Sequence, residues 1–264
     1  MISNNQIKIY SSLRNKKYRE TYNLFLAEGE KIVLDILKPG KRVFKIHSLI
    51  ASTEFIKSLP SAYLKELPEI QEVNDTTLEK ISSLSAPNKA ILVCGLPDYQ
   101  PDFKEIAGGL SLFLDDIRDP GNLGTIMRTA DWFGIHHIFC SRESVDVYNP
   151  KVVQSTMGAL CRVKVYYFET SDLLNEIRKM DSFPLIGTLL EGENLYSAEL
   201  PLKGMIVLGN ESRGISPALQ KELNYKLTIP SNGTGSEISE SLNVASAAAI
   251  VMAEFRRRQA GYSK

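Results

Sequence analysis

Cysteine and histidine are scarce, with three of each in 264 residues. Cys94, Cys140 and Cys161 are odd in number, far apart and set in apolar runs, which leaves no disulfide framework and no CxxC or Cys/His zinc spacing. His47, His136 and His137 are too few for a triad or a metal site. The adjacent pair His136 and His137 starts a strand and points to opposite faces, so it cannot chelate as a pair. No metal is expected. No apolar run approaches ~20 residues and no leader of a charged end plus an apolar stretch opens the chain, so no membrane segment and a cytoplasmic setting are expected. Neither sign of charge is in excess: Lys plus Arg is 31 and Asp plus Glu is 31. Bulk charge therefore offers nucleic acid no attraction, although a local cluster still can. Three fingerprints are also missing. Without GxxxxGKS/T there is no P-loop, without GxGxxG after a strand no dinucleotide turn, and without GxSxG no nucleophile elbow.

What is present is the composition of a soluble globular protein, 43% hydrophobic and 23% charged, long enough for two domains with sizeable cores. The stretch "KIYSSLRNKKYRE" gathers Lys8, Arg14, Lys16, Lys17 and Arg19 around Tyr10 and Tyr18. Cations with neighbouring rings suit RNA, because phosphates attract the charge and bases stack on the aromatics. A solvated amphipathic helix face accounts for the same residues.

Periodicity predicts two helices over 5–38 joined by an extended piece at "LFLAEGE". Strands "VFKIHSLIAS", "EIQEVND" and "KAILVCGLP" follow, with helices "STEFIKSLP" and "TTLEKISSL" between them. This small α/β unit closes near Pro97, and "PDYQPDFKEIAGG" reads as a linker over about 97–109. The expected domains are 1–98 and 108–264. In the second, "LSLFLDD", "IHHIFC", "VKVYYF", "PLIGTLL", "GMIVLGN" and "YKLTIP" read as strands. Helices are expected over 121–133, 149–159 and 171–180, from Pro217, and from about Ser241. Such alternation predicts a mostly parallel sheet covered on both faces, with ligands at the C-terminal ends of its strands.

Three strand-end loops concentrate polar groups. In "LDDIRDPGNLGTIMRTADWFGI", the paired acids Asp115 and Asp116 are followed by Asp119-Pro120-Gly121-Asn122, which is turn and N-cap chemistry. Arg128 then sits three residues before Asp131, a spacing that also allows a surface pair. In "MIVLGNESRGIS", Asn210 and Glu211 supply fixed polar groups, while Gly209 and Gly214 permit close backbone approach or a plain left-handed turn. In "LTIPSNGTGSEISESLNVASAAAIVMAEF", Ser241-Leu242-Asn243 opens a helix, and N-capping explains Ser241 and Asn243 by itself.

Taken in order, "DPGNLGTIMRTADWFGI", "IVLGNESRGIS" and "TIPSNGTGSEISESLNVASAAAI" resemble the three signature motifs of the SpoU/TrmH-type RNA ribose 2′-O-methyltransferases of the SPOUT superfamily. The resemblance covers roughly 108–260, and "LRNKKYRE…LFLAEGEKIV" looks like the family's small RNA-binding domain. It implies an α/β fold, a SPOUT-type parallel sheet with a C-terminal trefoil knot preceded by a small α/β RNA-binding domain, an exception to the rule against knots. It implies S-adenosyl-L-methionine as cofactor, RNA as partner and a homodimer. By the same match Gly209, Ile229 and Leu242 line the cofactor pocket, with Asn210 beside them and Thr188 nearby. Asn122, Arg128, Glu211, Ser241 and Asn243 fall on the catalytic positions, and Arg14, Lys16, Lys17 and Arg19 on the RNA-binding segment. One departure stands out: between Pro230 and Ser241 the loop carries "SNGTGSEISE", longer than the compact family form.

A sulfonium methyl is already electrophilic, so the cofactor carries the hard chemistry. The protein must align a weakly acidic ribose hydroxyl and ease removal of its proton. A guanidinium is effectively always protonated and a poor base. Arg128 is therefore expected to clamp the adjacent phosphate and stabilise charge developing on the 2′-oxygen. Asn122 and Asn243 would orient Arg128 and the ribose, and Glu211 would hold the cluster or accept the proton. Ribosomal RNA, with 23S rRNA first, is the expected substrate. A tRNA ribose or base methyltransferase of this fold, and an RNA-binding or assembly protein without catalysis, are the alternatives.

Overall fold

The computed structural model describes residues 2–40, 43–65, 67–84, 88–231 and 241–261, which divide into two compact units. The first comprises Met1–Asp98 together with Asp146–Arg162. Where two helices were expected over 5–38 there are three: α1 (Asn4–Ser12), α2 (Lys16–Tyr22) and α3 (Glu30–Leu37). The break needs neither Gly nor Pro. Asn15 caps α2 through Lys17 N–H, while Ser3 and Gln6 close a capping box on α1. The strands are β1 (Leu24–Glu28), β2 (Ile46–Ala51), β3 (Ile70–Glu72) and β4 (Ala90–Gly95), interleaved with α4 (Thr53–Ser58), α5 (Ser61–Leu64) and α6 (Asp75–Ile81). They form a mixed sheet ordered β1-β4-β2-β3, antiparallel on both sides of β4. One core gathers Tyr10, Leu13, Ile81, Ile91 and Val93. The segment 146–162 supplies α9 (Pro150–Ser155) and a 3-10 turn, Ala159–Cys161, in place of one helix over 149–159. Met157 and Gly158, both at positive φ, interrupt it.

In the second unit the expected linker carries α7 (Phe103–Ile106), whose Phe103 ring stacks on Phe139 with centroids 5.9 Å apart. There follow β5 (Leu110–Asp115), α8 (Pro120–Trp132), β6 (His137–Ser141), β7 (Lys164–Phe168), α10 (Thr170–Ile177), β8 (Leu185–Asn194), β9 (Gly204–Gly209), α11 (Pro217–Gln220), β10 (Tyr225–Thr228) and α12 (Val244–Gln259). Every pairing in this sheet is parallel, in the order β10-β8-β9-β5-β6-β7. All six residues of β5 are buried, as are the first five of β9. Continuous burial of that kind is what a parallel sheet covered on both faces requires. Phe113, Phe139, Met205 and Val207 pack with Ile106, Leu173, Ile177 and Leu219 in one core. α12 lies against α8 and β9. No helix among the described residues is long and apolar enough to cross a membrane.

Candidate functional site

β5 and β9 are neighbours, and their register pairs Asp115 with Gly209, so the loops following them leave the sheet at the same height. The strand order also reverses here: β5 leads to β6 and β7 on one side, and the chain returns through β8 and β9 on the other. Such a switch point is where parallel sheets leave a crevice for ligands.

α8 begins at this point because Asp119 accepts from Asn122 N–H at 2.8 Å and Pro120 occupies its first turn. That cap turns the Asn122 side chain outward, where its Nδ2 donates to Glu211 Oε1 at 2.6 Å. The Asn243 Nδ2 donates in turn to Asn122 Oδ1 at 3.0 Å. Asn243 is itself the N-cap of α12, accepting from Ala245 and Ser246 N–H groups. α12 therefore starts at Val244, not Ser241. Three predicted residues from three distant loops thus form one hydrogen-bonded chain, Asn243 to Asn122 to Glu211. Two helix N-termini meet there, and both favour negative charge nearby. Arg128 stands further along α8, exposed, with no hydrogen-bond or ion-pair partner among the described residues. The surface pair with Asp131 that its spacing allows does not form. Ser241 is exposed at the near end of the loop that delivers Asn243.

Three of the expected cofactor positions lie within or just beyond three adjacent strands. Thr188 is in β8, where its hydroxyl donates to Val207 C=O at 3.2 Å. Gly209 ends β9, and Ile229 follows β10. A Cβ on Gly209 would come within 2.2 Å of Gly214 C and Ile215 N, so only glycine fits. The reason is the turn: Asn210 and Gly214 exchange backbone hydrogen bonds of 3.1 and 2.8 Å, with Gly214 at φ +66°. Asn210 is consumed by structure, its Oδ1 accepting from Ser212 and Arg213 N–H and its Nδ2 donating to Asp116 C=O at 2.9 Å. Leu242 is an apolar side chain left 51% exposed. Most of the long loop, 232–240, lies outside the described residues. A cavity of about 820 Å³ sits at the opposite, N-terminal ends of β8 to β10, lined by Leu185, Lys203 and Tyr225, and touches none of these groups.

The two acids of the first loop have specific partners that sequence spacing did not show. Asp115 accepts from Ser216 N–H at 2.7 Å. Asp116, at φ 61°, pairs with Arg118 at 2.7 Å and with Arg213. The Asp-Asp doublet at a strand terminus was the visible signal; Arg118 is two residues from Asp116, but the partners Arg213 and Ser216 lie 97 and 101 residues away in the chain.

In the first unit Arg14, Lys16 and Lys17 are exposed, and Lys16 lies 3.8 Å from Glu20. Arg19 corrects the expectation. It is 2% exposed, donates to Leu13 C=O at 2.8 Å and pairs with Asp146 at 2.5 Å, so its guanidinium is taken internally. Helical phase turns position 19 inward while 16 and 17 face out.

Residues 109–253 match the SpoU rRNA Methylase family, and residues 4–91 match the MRM3-like substrate binding domain. A putative RNA methyltransferase of the TrmH family from Porphyromonas gingivalis superposes with a TM-score of 0.84 at 40% identity, over 98% of this chain and 99% of that one. An rRNA methyltransferase from Sinorhizobium meliloti, solved with S-adenosylmethionine bound, superposes at 0.83 with 28% identity, over 98% and 96% of the two chains. The 23S rRNA (guanosine(2553)-2′-O)-methyltransferase of Bacillus subtilis is 29% identical, with 96% of each chain covered. The polar chain at the β5–β9 switch point is built from the same loops that carry the signature motifs, and with the match over 109–253 it places this protein in the SpoU rRNA methylase family.

Proposed function

We propose that the chain transfers the methyl group of S-adenosylmethionine to a ribose 2′-hydroxyl of ribosomal RNA, with 23S rRNA as the substrate. The observation that carries this is the chain Asn243–Asn122–Glu211, fixed where two helix N-termini meet, with Asn122 on the same helix as Arg128, whose guanidinium has no hydrogen-bond partner among the described residues. The Bacillus subtilis relative's name, a 23S rRNA 2′-O-methyltransferase, supports the substrate.

The residues present fit the cofactor. Gly209 admits close backbone approach, and Ile229 and Leu242 offer apolar surface for an adenine ring and a thioether chain. Thr188, Gly209, Ile229 and Leu242 would hold it, with Asn210 shaping the loop through its bond to Asp116. When bound, S-adenosylmethionine supplies an electrophilic methyl group, so no protein nucleophile is needed. Arg128 grips the phosphate next to the target ribose through its two-pronged fork and offsets charge appearing on the 2′-oxygen. Asn122 and Asn243, locked in one orientation by their mutual bond, present fixed dipoles to the ribose. Glu211 holds Asn122 in place, and Ser241 borders the same entry.

Residues 1–98 form the RNA substrate-binding domain in this reading, presenting Arg14, Lys16 and Lys17, and 108–264 the methyltransferase domain, with 97–109 between them. The match to a substrate binding domain supports the first assignment. In this reading the C-terminal run is threaded as a trefoil knot, which is supported by β10 lying at the sheet edge while α12 lies against β9 and α8. A homodimer in the cytoplasm completes the proposal.

The test is methyl transfer from labelled S-adenosylmethionine to separated rRNA and tRNA fractions lacking the modification, followed by nuclease digestion and mass spectrometry. A 2′-O-methyl nucleoside in rRNA that disappears with Arg128→Ala is the expected result. A methylated base, or transfer to tRNA alone, overturns the substrate. Absence of cofactor binding overturns the enzyme.

A further inference from the structure

Asp116 is a non-glycine residue at φ 61°, a conformation that costs free energy and persists only where its surroundings impose it. Here they do. Its N–H donates to Ser141 Oγ at 2.9 Å, and its C=O accepts from Asn210 Nδ2 at 2.9 Å. The result is a carboxylate aimed between the first and second motif loops, 15% exposed, with Arg118 on one oxygen and Arg213 on the other.

Those two guanidiniums remain open. Their side chains are 62% and 63% exposed, and neither has another hydrogen-bond partner among the described residues. Each keeps donors to spare, because a guanidinium carries five N–H groups and these spend one or two. Two cations share one anion, so Asp116 alone does not neutralise both guanidiniums. The neighbouring acids remain charged but are turned to other donors, Asp115 to Ser216 N–H, Asp119 to Asn122 N–H and Glu211 to Asn122 Nδ2, so none of them takes up the spare guanidinium N–H groups. Glu143 also acts on Arg118 electrostatically. Arg118 is four residues before Asn122 and Arg213 two after Glu211, so both flank the polar chain in sequence and in the turns that build it.

We propose that Arg118 and Arg213, oriented by Asp116, form a phosphate clamp separate from Arg128, which takes a backbone phosphate of the RNA strand beside the target ribose. This rests on the methyltransferase reading above. The carboxylate fixes two otherwise flexible side chains before RNA arrives, so less conformational entropy is lost on binding. Binding is through the phosphate and adds register without reading a base. A clamp of this kind requires a target nucleotide inside a phosphodiester chain, and a free nucleoside is not a substrate.

The experiment measures binding and methylation of 23S rRNA transcribed in vitro, over a series of salt concentrations, with S-adenosylmethionine affinity measured in parallel. Arg118→Gln and Arg213→Gln are each expected to raise the RNA KM about tenfold, with the loss in KM exceeding any loss in kcat. Each should also flatten the dependence of log K on log salt by about 0.7. Arg→Lys at either position should restore the salt slope while leaving KM raised, because charge returns without the fork. Asp116→Asn keeps a side chain that tolerates positive φ but removes the anion, and should raise KM without flattening the salt slope. An unchanged KM and salt slope in the double Arg→Gln variant overturns the clamp. So does joint loss of S-adenosylmethionine and RNA binding, which would make the cluster a structural brace. If the wild-type protein binds this RNA but never methylates it, the methyltransferase reading fails, and the salt slopes still decide the clamp.

Discussion

Arg128 has no hydrogen-bond or ion-pair partner among the described residues to lose, so Arg128→Lys should leave stability within about 0.5 kcal/mol of wild type. On the proposed function its effect belongs to the reaction. Lysine keeps the charge but not the fork, and methyl transfer at saturating RNA should fall about a hundredfold. Near-full activity would refute the bidentate role. Asn122 differs because it bridges two partners. Asn122→Ala removes the donor to Glu211 and the acceptor for Asn243, costing about 1–2 kcal/mol by urea unfolding and about a hundredfold in rate. Gly209→Ala is a steric prediction: its Cβ would stand 2.2 Å from backbone atoms of Gly214 and Ile215, which cannot swing away as a side chain would. A loss of about 3 kcal/mol and of S-adenosylmethionine affinity is expected, read by thermal shift with and without cofactor. Asn122, Glu211 and Asn243 were singled out in the sequence because their three motifs occur in order and resemble a family signature; turn and cap chemistry alone did not distinguish them, and their mutual hydrogen bonds left no local pattern. The pairing of Asp116 with Arg213 was not legible either, since an ion pair across 97 residues leaves no local pattern.

α12 shows what a helix end does beyond its macrodipole. Arg256 donates to Phe133 and Gly134 carbonyls, Arg258 to Leu195 and Ala198, and Gln259 to Leu202, so the last turn staples several loops of its unit. Glu254, 6% exposed, anchors Arg257 and Arg258 at 2.7 Å each. The hydrogen bond from Arg257 is the main reason its carboxyl is held down at about 2. Because the folded value lies below the unfolded one of about 4.3, this stabilisation is complete above that range and fades as pH falls toward 2. It amounts to about 2–3 kcal/mol at neutral pH. Glu254→Gln should therefore be markedly less stable than wild type at pH 7, and the gap in urea midpoints should narrow steadily toward pH 3. A gap independent of pH would show that packing, not charge, explains the loss. Periodicity identified the elements of this sheet well, because buried parallel strands read as apolar runs between helices. It placed a linker where α7 packs, since two prolines and a Gly-Gly pair outweighed Phe103 and Ile106. It also started α12 three residues early, because Ser241 and Asn243 are both good caps and only the hydrogen bonds choose between them.

The first unit is discontinuous in sequence, closing over residues 146–162, and no composition shift in "NPKVVQSTMGALC" announces it. Two contacts explain the arrangement. Phe25, fully buried in β1, meets the Tyr148 ring with centroids 4.7 Å apart, and Arg19 reaches Asp146 with Nε at 3.0 Å and Nη2 at 2.5 Å. The Arg19 side chain is 3% exposed and that of Asp146 16%, so the pair is well removed from water. A buried pair contributes little net stability when intact, because desolvation offsets the attraction, but removing one partner strands the other charge. Asp146→Ala should cost about 3–5 kcal/mol, measured by urea unfolding of the whole chain. Arg19→Met with Asp146→Ala should recover most of that loss, because methionine fills similar volume with no charge to solvate. A double variant as unstable as Asp146→Ala alone would mean that the Leu13 carbonyl, which also accepts from Arg19, is the bond that counts. Arg19 then holds α2 in place, so the orientation of the exposed Lys16 and Lys17 on that helix rests on an ion pair between residues 127 positions apart.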